Sequence, residues 1–177
     1  MSKKTRPSQS RVDELFVRAD REVDRGRFKA AFRLFLAGAK MGDIGCQLNL
    51  GNFYADGQGV GRNLSAALKW YKLAYRRGNA SAARNIGVTW RDEKKHRRAL
   101  VWFKKAVRLG DEGANLEIAK HYMANDKNPA RAISYLEKVC RSNRVSEAGM
   151  EQARALLRRA RDGSSAPIAK SPGKKSR

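Results

Sequence analysis

Proline and cysteine are both scarce in this chain of 177 residues. Its four prolines lie at positions 7, 129, 167 and 172, so no proline interrupts a helix between residues 8 and 128. The two cysteines, Cys46 and Cys140, are too few for a disulfide framework, and we interpret both as structural residues. Small folds held together by disulfides are therefore excluded.

Long apolar runs are missing as well. The sequence starts Met-Ser-Lys-Lys without the apolar stretch of a signal peptide. No run approaches the roughly 20 apolar residues that span a bilayer. We therefore expect a cytoplasmic protein with no membrane span.

Acidic residues are few relative to basic ones. Seventeen Asp and Glu stand against 39 Lys and Arg, which gives a formal net charge of +22. Residues 1–11 and 161–177 each contribute +4, so residues 12–160 still carry +14. A field of this sign attracts nucleic acid, an anionic membrane surface or an acidic protein, and it does not decide among them.

Composition divides the chain into three parts. Residues 1–9 and 163–177 are rich in Ser, Lys, Gly and Pro, and we predict that both are disordered basic tails. Residues 10–162 contain the aromatic and aliphatic residues of a core and are predicted to fold as one domain.

The ingredients of a catalytic or metal site are not grouped in this sequence. The two histidines, His96 and His121, lack Cys, His or carboxylate neighbours at a metal-binding spacing, and we interpret His96 as a surface residue. The glycine run at 57–61 lacks the Gly-Lys-Ser/Thr of a phosphate loop and is interpreted as a turn. We therefore expect no enzyme activity, no cofactor and no metal.

The most informative pattern is an internal repeat. Four segments open on an alanine followed by large apolar residues, at spacings of 36, 32 and 33 residues: Ala31, Ala67, Ala99 and Ala132. Eleven residues later stands a residue that tolerates a left-handed helix stop: Gly42, Gly78, Gly110 and Asn143. Each segment is predicted to be a helix, called helix B here, with Trp70 and Trp102 in the core.

A second pattern precedes each of the last three B segments. It has small residues at its first and sixth positions and an aromatic at its ninth, as in Cys46, Gly51 and Tyr54. Small residues let two helices approach closely, and the aromatic fills the space beside that contact. We predict a helix A at each of these places, so that the repeating unit is helix A, turn, helix B, turn.

Capping signals mark the helix ends. Ser10 and Asp13 resemble a capping box that opens the first helix. Oxygen-bearing caps are predicted at Asn63, at Asn128 before Pro129, and after the glycine stops at Asp43, Asn79 and Asp111. A last helix from about Glu147 to Arg161 is predicted to close the array.

One unit carries a family resemblance. Residues 46–79 contain Leu50-Gly51-x-x-Tyr54, Gly57-x-Gly59-Val60, Ala66-Ala67-Leu68-x-Trp70-Tyr71-x-x-Ala74 and Gly78-Asn79. This unit resembles a Sel1-like repeat, a relative of the tetratricopeptide repeat, and the resemblance extends more weakly over about 12–145. It implies an all-α fold, a right-handed α-solenoid of about four helix–turn–helix repeats in which the A helices line the concave side. It also implies a role as an adaptor in protein complexes.

Two surfaces are candidates for binding a partner. On the A helices, polar positions recur at the same offsets and would form rows against an extended or helical segment: Asn49, Asn52, Asn85, Thr89, Lys120 and His121. On the B helices, cations recur nine residues after the opening alanine or one turn earlier: Lys40, Lys72, Arg76, Lys104, Arg108 and Arg141. Stacked repeats about 10 Å apart would align these cations in a ladder. The helix dipole also favours such cations, and Glu137 is placed to neutralise Arg141.

The sequence supports two functions. The first is a non-enzymatic scaffold that binds a protein partner. The alternative is a nucleic-acid- or ribosome-associated protein that binds polyanions through the cation ladder, which would be strongly salt-dependent.

Overall fold

The computed structural model describes residues 9–162, and within them the chain forms nine helices and no strand. The predicted tails at 1–9 and 163–177 lie outside the described residues, apart from Gln9. The helices are α1 (Gln9–Asp24), α2 (Phe28–Lys40), α3 (Ile44–Asp56), α4 (Leu64–Arg76), α5 (Ala80–Asp92), α6 (His96–Arg108), α7 (Ala114–Ala124), α8 (Pro129–Arg141) and α9 (Glu147–Arg161). Helices α1, α3, α5 and α7 are the A helices, α2, α4, α6 and α8 are the B helices, and α9 is the predicted last helix.

The glycine stops after the first three B helices are confirmed. Gly42, Gly78 and Gly110 have φ values of 92°, 84° and 92°, a left-handed conformation that a side chain would strain. The next residue then accepts a hydrogen bond at the start of the following helix. The bonds run from the N–H of Cys46 to Asp43 (2.6 Å), of Ala82 to Asn79 (2.8 Å) and of Ala114 to Asp111 (3.2 Å).

Two predicted helix ends are wrong. Helix α8 is not closed by a left-handed Asn143, because Ser142 after it is already extended, with φ −78° and ψ 137°. Ser10 lies inside helix α1 (Gln9–Asp24) and not at its cap. Among the described non-glycine residues, the left-handed conformation is taken by Lys94 (φ 58°) and Lys127 (φ 45°), in the two shortened A-to-B turns.

The chain divides into two compact units, the first ending at Gly110 and the second beginning at Asp111. In the first unit each helix packs against its neighbours in sequence, and α3 also contacts α5. Its core contains the opening alanines and one large side chain of each B helix, all at most 3% exposed: Ala31, Ala67, Ala99, Phe35, Tyr71 and Phe103. In the second unit α8 packs against both α7 and α9, around Ile118, Leu136, Val139 and Ala153.

Glycine in helix A permits the close approach that the repeat pattern predicted. A Cβ added at Gly51 would overlap the ring of Tyr71, and one at Gly87 would lie 2.5 Å from Cδ1 and Cε1 of Phe103. Each glycine therefore makes room for the aromatic ring of the helix B in its own repeat.

The predicted placement of the tryptophans is corrected. Trp70 and Trp102 are only partly buried, whereas the next residues, Tyr71 and Phe103, are 3% and 1% exposed. Trp102 instead packs edge-on against Tyr75, with ring centroids 5.0 Å apart. The full cost of removing a core aromatic thus belongs to Phe103 and not to Trp102.

Candidate interaction surfaces

On the A helices of the first unit, asparagines bond to one another across repeats. Oδ1 of Asn52 on α3 accepts hydrogen bonds from the hydroxyl of Tyr71 on α4 (2.8 Å) and from Nδ2 of Asn85 on α5 (2.9 Å). Asn52 and Asn85 are partly buried, as is Asn49. Two of the predicted binding residues are thus brought together, and this bonding orients them on the helix surface.

The other predicted A-helix residues are occupied by contacts within their own unit. Thr89 is 5% exposed and its hydroxyl donates to the carbonyl of Asn85 at 2.9 Å. His121 is 7% exposed, and its Nε2 lies 3.5 Å from Oδ1 of Asp126. Lys120 pairs with Glu117 at 2.9 Å. In the first unit, a partner on the A helices would therefore meet Asn49, Asn52 and Asn85 before the buried side chain of Thr89; in the second unit, Lys120 is more accessible than His121.

The six predicted cations of the B helices are all exposed: Lys40, Lys72, Arg76, Lys104, Arg108 and Arg141. Among these six cations, Arg141 is the exception, because a carboxylate oxygen of Glu137 lies 3.7 Å from its guanidinium group, as the sequence predicted. Glu137 also pairs with Arg161 at 2.9 Å. The charge of Arg141 is therefore partly neutralised within the second unit.

The charge of the first unit is divided more unevenly between its A and B helices than the predicted ladder implied. Helices α2, α4 and α6 contain eleven basic residues and no acidic residue. The A helices of the same unit, α1, α3 and α5, contain five basic and seven acidic residues. The positive charge of the helices in this unit is therefore concentrated on its B helices. The lack of any carboxylate in the three B segments was the sequence signal for it.

Most of these cations share one sector of the helix. They stand two residues before, or two, five or nine residues after, the opening alanine, positions that lie within about 60° of one another at 100° per residue. We call the exposed cations at these positions the basic face: Lys29, Arg33, Lys40, Lys69, Lys72, Arg76, Arg97, Lys104 and Arg108. The ladder predicted from the sequence did not include Lys29, Arg33, Lys69 or Arg97.

The structure shows the environments of Cys46 and His96, two of the residues considered above for redox or metal chemistry. Burial raises the pKa of the Cys46 thiol from 9.0 to about 12, and a hydrogen bond and the charge of Asp43 act in the same direction. His96 is partly buried, and its Nδ1 is buried without a hydrogen-bond partner among the described residues. Between residues 9 and 162, no three His, Cys, Asp or Glu side chains are grouped so that they could hold a metal ion.

Comparison with known proteins identifies the repeat. The family model for the Sel1 repeat matches residues 44–79, 81–111 and 126–143. The chain belongs to the Sel1-like repeat family. The predicted all-α helical repeat solenoid is confirmed. Within the described residues, none of the helices of this Sel1-like protein combines the length and apolar character needed to cross a membrane.

Individual proteins resemble this chain in sequence or in fold. A putative sel1-like repeat-containing protein, L21, of Acanthamoeba polyphaga mimivirus is 29% identical over 85 residues, which are 48% of this chain and 16% of that protein. The crystal structure of a Sel1 repeat protein from Oxalobacter formigenes aligns with a TM-score of 0.66 at 24% identity, over 94% of this chain and 71% of that one. A protective antigen of uropathogenic Escherichia coli, c5321, with an SLR fold, also gives 0.66, at 20% identity over 88% of this chain and 39% of that one. These structural likenesses establish the fold alone.

Proposed function

We propose that this Sel1-like repeat protein is a non-enzymatic scaffold whose basic face binds an acidic segment of a partner protein. Sel1 repeats generally mediate protein interactions, and proteins built from them are generally not enzymes. The observation that supports the finer proposal is the separation of charge in the first unit, where three B helices lack any carboxylate. Cytoplasmic residence stays a prediction of the sequence.

The energetics favour many weak contacts over one strong one. An exposed ion pair contributes about 0.2 to 1 kcal/mol, so no single cation of the basic face would hold a partner. Nine such cations would add up, and their common sign would steer an acidic partner during encounter. Because the Debye length is about 8 Å at physiological ionic strength, raising the salt concentration should slow association first.

The A helices offer a second, less charged surface. In the first unit, Asn49, Asn52 and Asn85 keep part of their side chains accessible, and the hydrogen bond between the amides of Asn52 and Asn85 holds these two in place. A segment that lay along this surface could bond to amide groups already ordered by the fold, which lowers the entropic cost of binding. We propose that this surface positions the partner while the basic face attracts it.

The test is recovery of partners on the immobilised full chain from nuclease-treated extract of the native cell. A triple variant, Arg76→Glu, Lys104→Glu and Arg108→Glu, removes positive charge from the basic face. A control variant with the same change in net charge uses exposed arginines elsewhere: Arg11→Glu, Arg144→Glu and Arg154→Glu. We expect a protein partner that the wild type and the control retain and the triple variant loses. Equal retention by the two variants would refute a binding role for the basic face.

A second candidate function is association with nucleic acid or the ribosome. The same basic face supports it, because its cations could bind phosphate groups. Such binding would fall by orders of magnitude between low and moderate salt. The aromatic rings offer little for base stacking, because Lys95 and Arg98 lie over Trp90, at 5.1 and 5.2 Å from its centroid, and Lys105 lies 4.1 Å over Trp102. A gel shift that the triple variant abolishes and the control preserves would favour this candidate.

A further inference from the structure

Helix α6 combines the highest density of cations with exposed apolar side chains. Three large hydrophobic residues are exposed among those that the structure describes: Val17 (47%), Val101 (51%) and Leu109 (41%). Two of the three belong to α6, since Val101 lies in it and Leu109 is its C-cap residue. The same helix contains five of the eleven cations of α2, α4 and α6.

Val101 lies at the centre of these cations. With 100° between successive helical residues, Arg97, Lys104 and Arg108 are displaced from Val101 by about 20° to 60° on one side. Arg98 and Lys105 are displaced by about 40° to 60° on the other side. The outer surface of α6 is therefore an apolar centre flanked by positive charge, which is the layout of a small protein–protein interface with a polar rim.

The other repeats show that this valine is not required by the fold. The position two residues after the opening alanine is occupied by Arg33 in α2, Lys69 in α4 and Ser134 in α8, and all three are exposed, as Val101 is. A cation there would bind a phosphate backbone better than valine does. An apolar side chain in its place gains free energy only from a partner that also presents an apolar surface.

We propose that the outer surface of α6 docks an acidic amphipathic helix of the partner protein. This inference rests on the proposed function and names the partner's local structure. The apolar stripe of the docked helix would cover Val101 and, crossing α6 at an angle, reach Leu109, which lies about 12 Å further along α6 and about 80° around it on the side of Arg98 and Lys105. Carboxylates along one edge of the stripe would pair with Arg97, Lys104 and Arg108.

The test uses Val101→Lys, which copies the residue of α4, and Val101→Ser, which copies the residue of α8. Three probes are titrated against the full chain at two salt concentrations. The first is a synthetic helical peptide with leucines at i, i+3, i+4 and i+7 flanked by glutamates. The second is the same peptide with serine for leucine, and the third is a single-stranded oligonucleotide of equal charge. Circular dichroism and thermal melting check that the variants stay folded.

We expect the wild type to bind the leucine peptide at least fivefold more tightly than the serine peptide. Both Val101 variants should weaken binding of the leucine peptide about fivefold, a change of about 1 kcal/mol. Val101→Lys should do so although it adds a positive charge, and its affinity for the oligonucleotide should stay equal or rise. Tighter binding of the leucine peptide by Val101→Lys, equal affinity for the two peptides, or no binding by the wild type would each overturn the inference.

These outcomes separate the inference from the proposed function. If α6 fails the peptide test while the triple variant of the basic face still loses its natural partner, the docked helix is wrong and the scaffold function stands. If the triple variant retains that partner as well, binding by the basic face is wrong in general.

Discussion

Substituting Gly87 by alanine tests the packing on which each repeat depends. Alanine is the better helix former by about 1 kcal/mol, so propensity alone predicts a more stable protein. The added Cβ would, however, lie 2.5 Å from two ring carbons of Phe103, where contacting carbons need about 3.5 to 4.0 Å. Phe103 is 1% exposed, so its ring is enclosed by neighbouring atoms and cannot swing out into solvent.

The steric effect should therefore outweigh the gain in propensity. Overpacking a filled core costs about 1 to 3 kcal/mol, and an overlap of about 1 Å with two carbons belongs at the upper end. We expect Gly87→Ala to lower the free energy of unfolding by about 1 to 2 kcal/mol in urea titrations. Fluorescence is a suitable signal, because Trp90 lies on the same helix and Trp102 precedes Phe103.

Two further variants make this prediction specific. Gly61→Ala adds the same methyl group where nothing lies within 4 Å, and it should leave stability unchanged or slightly raised. Combining Gly87→Ala with Phe103→Leu should cost less than the sum of the two single changes, since the smaller leucine leaves room for the methyl group. A Gly87→Ala protein as stable as the wild type would refute the close approach of α5 and α6.

Three other measurements test separate parts of the structure. Phe103→Ala should cost about 3 to 5 kcal/mol in the free energy of unfolding. Trp102→Ala should cost only about 1 to 2 kcal/mol, because its main aromatic contact contributes about 0.5 to 1.5 kcal/mol; the reverse order would contradict the orientation of α6. Lys94→Gly should raise stability by about 0.5 to 1 kcal/mol by relieving a left-handed lysine, and a lower melting temperature would contradict that conformation. In a Cys140→Ser variant, the Cys46 thiol should resist a thiol reagent at pH 8 until urea unfolds the chain, because burial raises its pKa to about 12. Rapid labelling in the folded state would contradict this.

The positions of the helices and most of their ends could be read from the sequence alone, because they depend on local interactions. A left-handed glycine, an asparagine oxygen within reach of an N–H and a proline in the first turn act over three or four residues. The same holds for the basic face, since helical spacing is enough to place its cations in one sector. The predicted ladder left out Lys69 and Arg97, because it followed the recurrence of cations near the helix ends and not the absence of carboxylates.

Contacts between helices were decided only by the tertiary structure. Trp102 and Phe103 are adjacent, large and apolar, and about 100° apart on α6, so the position of α5 decides which ring becomes buried. His121 looked accessible by its place in the repeat, yet neighbouring side chains cover it. The bond between Asn52 and Asn85 likewise depends on how two successive A helices are placed. Helical periodicity defines which residues share a side of one helix, but burial depends on the distance and angle of the neighbouring helix, which no local pattern contains.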